Sequence, residues 1–145
     1  MSTLLAYASP HSTNPAPYNN KGAQAYLQTQ VQSRTPVELV VMLYDGAITF
    51  LGQAREAMVV GDMVAKRHAL SRGLAIVQEL QHMLNMDAGG EIAERLDGLY
   101  TYVLGRCYEA NAQRDAIGLD EAIKLLTPLR DAWADISVQH PPPAA

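Results

Sequence analysis

Glu79-Leu80-Gln81-His82 sets a carboxylate and an imidazole three residues apart, the helical spacing that di-iron bundles use to grip metal. Such a centre needs a second copy and two further inward carboxylates, and no second copy occurs in the sequence. The pair therefore reads as part of a solvated helix face. His11, His68 and His140 have no ligand spacing between them. Cys107 is the single cysteine; it falls at core spacing, with no His or Asp placed to activate it, and reads as a small buried hydrophobe. Gly89-Gly90 lacks the Lys-Ser/Thr and the preceding strand of a phosphate loop, so it reads as a helix break. Lys66-Arg67-His68, beside Asp62, reads as a solvated face, and Trp133 as packing. No nucleophile, base and stabiliser assemble. The expectation is a non-enzyme with no catalytic residue, no metal and no cofactor.

The bulk properties agree with a binding role. The 145 residues suit one domain, and 48% are apolar, enough for a core. Net charge is −4, so the basic footprint that a phosphate backbone demands is missing, and nucleic acid is not an expected partner. One cysteine permits no intrachain disulfide, which fits a reducing compartment. The N-terminus has no basic region followed by an apolar run, so no secretory signal is expected. No stretch approaches the roughly 20 apolar residues of a membrane span, so no membrane insertion is expected either. The expected location is the cytosol.

Those side chains would be positioned by four long helices. Residues 1–22 are rich in Ser, Thr, Asn, Pro and Gly and read as a disordered tail. Residues 23–34 carry Tyr26, Leu27 and Val31 among polar residues and read as an N-terminal cap segment. Thr35-Pro36-Val37-Glu38 is a capping box with proline at the first helical position. It opens a helix to about Val60, stopped by Gly61-Asp62. A second helix runs from about Met63 to Met86, broken by Asp87-Ala88-Gly89-Gly90. A third runs from about Glu91 to Arg114, and a fourth from about Leu119 to Ser137, with a Pro-rich tail over 139–145. Short links force neighbours antiparallel, which predicts an all-α, up-down four-helix bundle over 35–138 with a mobile N-terminal cap. Pro128, inside the fourth helix, should bend it, at up to about 3 kcal/mol if uncompensated.

Each helix carries an apolar stripe at spacings of three and four. On the first it is Leu39, Met42, Leu43, Phe50, Ala54 and Ala57; on the third, Ile92, Leu96, Leu99, Val103, Cys107 and Ala110. A surplus remains. Val41, Tyr44, Ile48 and Leu51 form a second stripe on the first helix, and Tyr100, Leu104 and Tyr108 flank the third. A surplus stripe must be covered by the chain's own residues 23–34 or by a partner. The candidate binding residues are thus Tyr26, Leu27, Val31, Val41, Tyr44, Ile48, Leu51, Tyr100, Leu104 and Tyr108.

The segment Thr35 to Gly46, reading TPVELVVMLYDG, resembles the opening helix of the flagellar secretion chaperones of the FliS family. Further residues match in order: Gln78-Glu79-Leu80, Leu84-Asn85, Leu99-Tyr100-x-Tyr102, Ala110-Asn111, Asp115, and Leu129 through Trp133. The match runs from about Tyr26 to Trp133. The resemblance implies a cytoplasmic chaperone that binds the disordered C-terminal segment of new flagellin, prevents premature polymerisation and assists delivery to the type III export apparatus. It also implies that the client wraps the bundle partly as helices in apolar grooves, and that the N-terminal segment can occupy part of that surface and be displaced. Export-gate components are possible further partners. The competing reading is a helical regulatory or dimerisation module that uses the same stripes to form a homodimer.

Overall fold

The computed structural model describes residues 5–7 and 34–139. Four helices follow one another: α1 Pro36–Val60, α2 Met63–His82, α3 Met86–Gln113 and α4 Ile117–Gln139. They form the expected all-α bundle. α1 packs most extensively on α2 and α4, and α3 closes against those same two neighbours.

The boundaries follow from local capping chemistry. Thr35 Oγ1 accepts the Glu38 N–H at 3.1 Å while the Glu38 carboxylate accepts the Thr35 N–H at 3.0 Å, completing the capping box with Pro36 inside it. Gly61 ends α1 in the left-handed region, φ 83°, where a Cβ would be strained. Asp62 then caps α2 through the Ala65 N–H at 3.1 Å. Between α2 and α3 the chain differs from expectation. Asn85 caps α3 through the Ala88 N–H at 2.9 Å, so the helix starts at Met86 and runs through the expected break. The break survives as a kink at Gly90, φ 53° and ψ −132°, a conformation that glycine alone adopts readily. Pro128 is exposed, and α4 stays helical through it. Its missing N–H strips a donor from the Lys124 carbonyl, on an exposed residue where water can substitute.

The core corrects the reading of α1. Its buried residues are Val37, Val40, Leu43, Tyr44, Gly46, Ala47, Leu51, Ala54 and Ala57. Val37, Val40, Tyr44, Ala47, Leu51 and Ala54 alternate spacings of three and four, the seam of a heptad. Tyr44 and Leu51 are therefore core residues, not part of a surplus stripe, and Leu39, Met42 and Phe50 are only half-buried. Large side chains drew the sequence reading to the wrong flank, because alternate layers of the true seam are alanine. α3 needs the same correction: Tyr100 and Leu104 are buried in the core.

α1 also corrects the membrane reading, since an 18-residue window within it reaches mean hydropathy 1.3 and is long and apolar enough by composition to cross a bilayer. Half of that window is buried inside the bundle, which accounts for its apolarity as core.

The expectation of a disordered tail over residues 1–22 fails at Leu5–Tyr7. Ala6 and Tyr7 are buried, and the Asn85 N–H donates to the Ala6 carbonyl at 2.6 Å. The remainder of that tail, the 23–34 segment and residues 140–145 lie outside the described residues.

Two glycines in this packing have opposite roles. A Cβ on Gly118 would stand 2.4 Å from the Arg106 carbonyl oxygen and 3.1 Å from Ala110 Cβ, so α3 and α4 approach there through a missing side chain. A Cβ on Gly52 meets nothing within 4 Å. Gly118→Ala should cost about 1–3 kcal/mol in urea unfolding by forcing backbone apart. Gly52→Ala should stabilise by about 0.5–1 kcal/mol through helix propensity alone. Equal effects would contradict the packing described.

Candidate functional site

Three tyrosine hydroxyls meet inside the bundle. Tyr44 reaches in from the α1 seam and Tyr100 from α3, both fully buried, and their hydroxyls hydrogen-bond. The rings are tilted, with centroids 6.3 Å apart. The third, Tyr7, comes from the N-terminal segment: its hydroxyl bonds Tyr100, and its ring packs edge-on against Trp133 of α4 at 5.2 Å. No buried side-chain polar atom among the described residues lacks a partner.

Leu5–Tyr7 thus sits as a plug between α1, α3 and α4. Its backbone is held by Asn85, the residue that also caps α3. Gly89 makes room for it: a Cβ there would lie 2.8 Å from the Ala6 Cα. Leu5 stays exposed at the mouth. Burial pushes all three phenols above the ordinary tyrosine range, and Tyr100 well above it.

A second feature runs along the outer α1–α4 seam. Arg130 Nε donates to the Asp45 carboxylate at 2.6 Å, and Arg55 pairs with Asp120. Between these two cross-links lies an open groove of about 630 Å³, lined by Thr49, Gly52, Gln53, Arg55, Glu56, Asp120 and Ile123. Val41 and Ile48 follow three-and-four spacing with Asp45, Gly52 and Arg55 on α1 and are half-buried, packed against the core.

The candidate residues from the sequence divide among these places. Tyr44 and Tyr100 meet in the hydroxyl cluster, Leu51 and Leu104 are core, and Val41 and Ile48 are half-buried against the core. Tyr108 stands apart, half-exposed, where its hydroxyl accepts from Gln78 of α2 at 3.2 Å. Tyr26, Leu27 and Val31 lie outside the described residues. The sequence reading missed Ala6, Tyr7 and Trp133 as site residues. A buried partner for Tyr7 cannot be inferred from a lone tyrosine in a Ser- and Pro-rich tail.

The other reactive groups behave as structure. Cys107 is fully buried, and that burial pushes its thiol up to about 12. Among the described residues no three of His, Cys, Asp and Glu gather as a metal-holding group. The His82 ring nitrogen lies 2.7 Å from the Gln78 carbonyl, a bond within its own helix.

Comparison with known proteins gives a consistent result. The family model described as "Flagellar protein FliS" matches residues 18–140, a span that begins after the plug. The chain is similar to the flagellar secretion chaperone FliS of Salmonella typhimurium, at 39% identity over 83% of this chain and 93% of the relative. It is similar to the flagellar secretion chaperone FliSB of Pseudomonas aeruginosa, at 34% identity over 79% and 90%. The FliS chaperone of Bacillus subtilis is 36% identical over 75% and 80%.

The raised phenols give a pH signature. Folded pKa values above the ordinary 10 hold Tyr7, Tyr44 and Tyr100 neutral, so their contribution to stability is full below pH 10 and is lost as pH rises further. In an absorbance titration at alkaline pH these three should ionise only together with loss of the near-ultraviolet circular dichroism. Independent titration near pH 10 with the fold intact would contradict their burial. Cys107 should likewise resist a thiol reagent at pH 8 until denaturant is added.

Proposed function

The chain belongs to the FliS family of flagellar secretion chaperones, and from that premise we propose that it binds the C-terminal segment of flagellin in the cytosol. It keeps that segment from polymerising and assists its delivery to the type III export apparatus, with export-gate components as possible further partners. Binding, not catalysis, is the whole of its action. One observation supports this best: the bundle already holds a short tethered peptide, Leu5–Tyr7, in a pocket made by Tyr44, Tyr100, Trp133 and Gly89.

The mechanism follows from competition. The client docks apolar side chains at helical spacing, with the half-buried Val41 and Ile48 of α1 as contacts, and its inner end takes the pocket of Tyr7. Tyr44 and Tyr100 then serve the client from the pocket floor, Leu51 and Leu104 support that floor, and Tyr108 contacts the client where it passes α3. Tyr26, Leu27 and Val31, between the plug and α1 in the sequence, are further client contacts in this proposal. The client orders as it binds, so part of the burial is offset by lost entropy. While Leu5–Tyr7 fills the pocket, the apparent affinity is lowered in proportion to the unplugged fraction. The plug keeps apolar surface covered in the free chaperone, and a client with more surface to bury displaces it.

Co-purification tests the reading: the chain should retain full-length flagellin and lose it when flagellin lacks its C-terminal segment. Retention of the truncated flagellin would remove the proposal. Deleting residues 1–7 should tighten binding of the C-terminal segment severalfold in calorimetry, and an unchanged affinity would argue against a competing plug. Ile48→Asp should weaken binding about tenfold or more while helical circular dichroism stays intact, since Ile48 is only half-buried.

A further inference from the structure

We infer that the end of the bundle opposite the plug docks on an anionic lipid surface, without spanning it, through the α1–α2 turn and the first turns of α2. The inference does not depend on the identity of the client.

This end combines exposed apolar side chains with uncompensated positive charge. Val60 is 75% exposed, Val59 67% and Val64 63%, and Met63 is exposed beside them. All four flank Gly61 and Asp62 at the α1–α2 turn. Lys66 Nζ donates to the Asn111 side-chain oxygen at 2.6 Å, and Arg55 pairs with Asp120. These links set the end of α3 and the start of α4 at the same end of the bundle, which adds the exposed Ile117. The charge lies on α2. Arg55, Arg95, Arg106 and Arg130, the arginines within α1, α3 and α4, all pair with carboxylates. On α2, Lys66 meets an amide and Arg72 lies over the Phe50 ring, 5.7 Å from its centroid. Among the described residues neither they nor Arg67 pair with a carboxylate. The one carboxylate within α2, Glu79, is buried towards its far end, and Asp62 caps the helix through the Ala65 N–H. A chain of net charge −4 thus presents Lys66, Arg67 and Arg72 against Asp62 alone over residues 62–72.

The shape of the patch favours lipid over an acidic protein. A partner helix needs a groove in which to bury its apolar face. The grooves along α1, one with α4 and one with α2 at Phe50, His68 and Arg72, include none of Val59, Val60, Met63, Val64 and Ile117. Those side chains stand out at the turns, where a deformable surface can receive them. Apolar burial at the headgroup boundary and attraction of neighbouring cations to anionic headgroups act together in that mode. Each basic side chain held near an anionic surface strengthens binding about fivefold, so three outweigh the single opposing carboxylate. α2 is 20 residues long, about 30 Å, and Asn85 and Gly89, which hold the plug, lie beyond its far end. A chain docked in this way keeps the pocket of Tyr7 turned away from the lipid.

The test is flotation of the full chain with vesicles of phosphatidylcholine alone or with about one-third phosphatidylglycerol. The chain should bind the anionic vesicles about tenfold or more tighter than the neutral ones, and should be released as salt rises from about 0.1 M to about 0.5 M. Lys66→Gln/Arg67→Gln removes charge and Val60→Gln/Val64→Gln removes apolar surface, all at positions outside the core. Each pair should weaken binding to the anionic vesicles about tenfold, with helical circular dichroism unchanged. Equal binding to both kinds of vesicle, or undiminished binding by both variants, overturns the inference. So does retention on an immobilised polyglutamate peptide without vesicle binding, which would assign the patch to an acidic protein. Orientation gives a second reading that needs no change to the charges. An environment-sensitive dye on Val60→Cys should shift to the blue when anionic vesicles are added, and the same dye on Leu5→Cys should not, the native Cys107 being buried. A shift at Leu5 and none at Val60 would overturn the inference by putting the opposite end of the bundle on the lipid.

Discussion

A phenolic hydroxyl is not buried without a partner, and Tyr44 stands at a seam position of α1 where burial is complete. Much of the bundle's interior can be read as the answer to that constraint. α1 packs on α2 and α4 through small and medium residues, and the seam is interrupted by one large aromatic with a polar tip. Tyr100 on α3 meets it, which gives α3 a specific attachment across the bundle in addition to its packing on α2 and α4. Trp133 of α4 presents its ring to Tyr7, 5.2 Å between centroids. A hydroxyl cluster of this kind fixes how the elements register, because sliding any one of them leaves an unpaired donor in an apolar core.

That arrangement also explains why the N-terminal segment enters the bundle. Tyr7 completes the cluster, and its backbone neighbour Ala6 satisfies the N–H of Asn85, whose side chain caps α3. The α2–α3 turn, the kink at Gly90 and the close approach at Gly89 together make a cradle for three residues. The polar contacts are few and the segment is short, which is what the proposed exchange for a longer client requires.

Much of the fold was legible in the sequence because helix ends obey local chemistry. Thr35-Pro36-Val37-Glu38, Gly61-Asp62 and the break at Gly90 each act within a few residues of themselves, and each survives in the structure. The side that faces inward was harder. Ala47 and Ala54 belong to the core, and Met42 and Phe50 lie to one side of it, so a search for large apolar residues rotates α1 away from its true seam. Tyr44, Leu51, Tyr100 and Leu104 were singled out as unusual, which they are, but their burial depends on partners far along the chain. Tyr7 was illegible for the same reason in stronger form: its partner Tyr100 is 93 residues away, and nothing local to Leu5-Ala6-Tyr7 signals a contact. Val41 and Ile48 share a face with Asp45 and Arg55 by three-and-four spacing, and both are half-buried against the core.

The central claim is that plug and client exclude one another, and the molecule carries a reporter for it. Trp133 is the only tryptophan and lies against Tyr7, and Cys107 is buried with its thiol pushed up to about 12. A cysteine introduced at the exposed Leu5 can therefore carry an acceptor dye without competition from the native thiol. Energy transfer from Trp133 to that dye should be efficient in the free chain and collapse when the flagellin C-terminal segment is added to saturation. Transfer that persists unchanged in the saturated complex would mean that the plug stays in place, and that the client binds elsewhere.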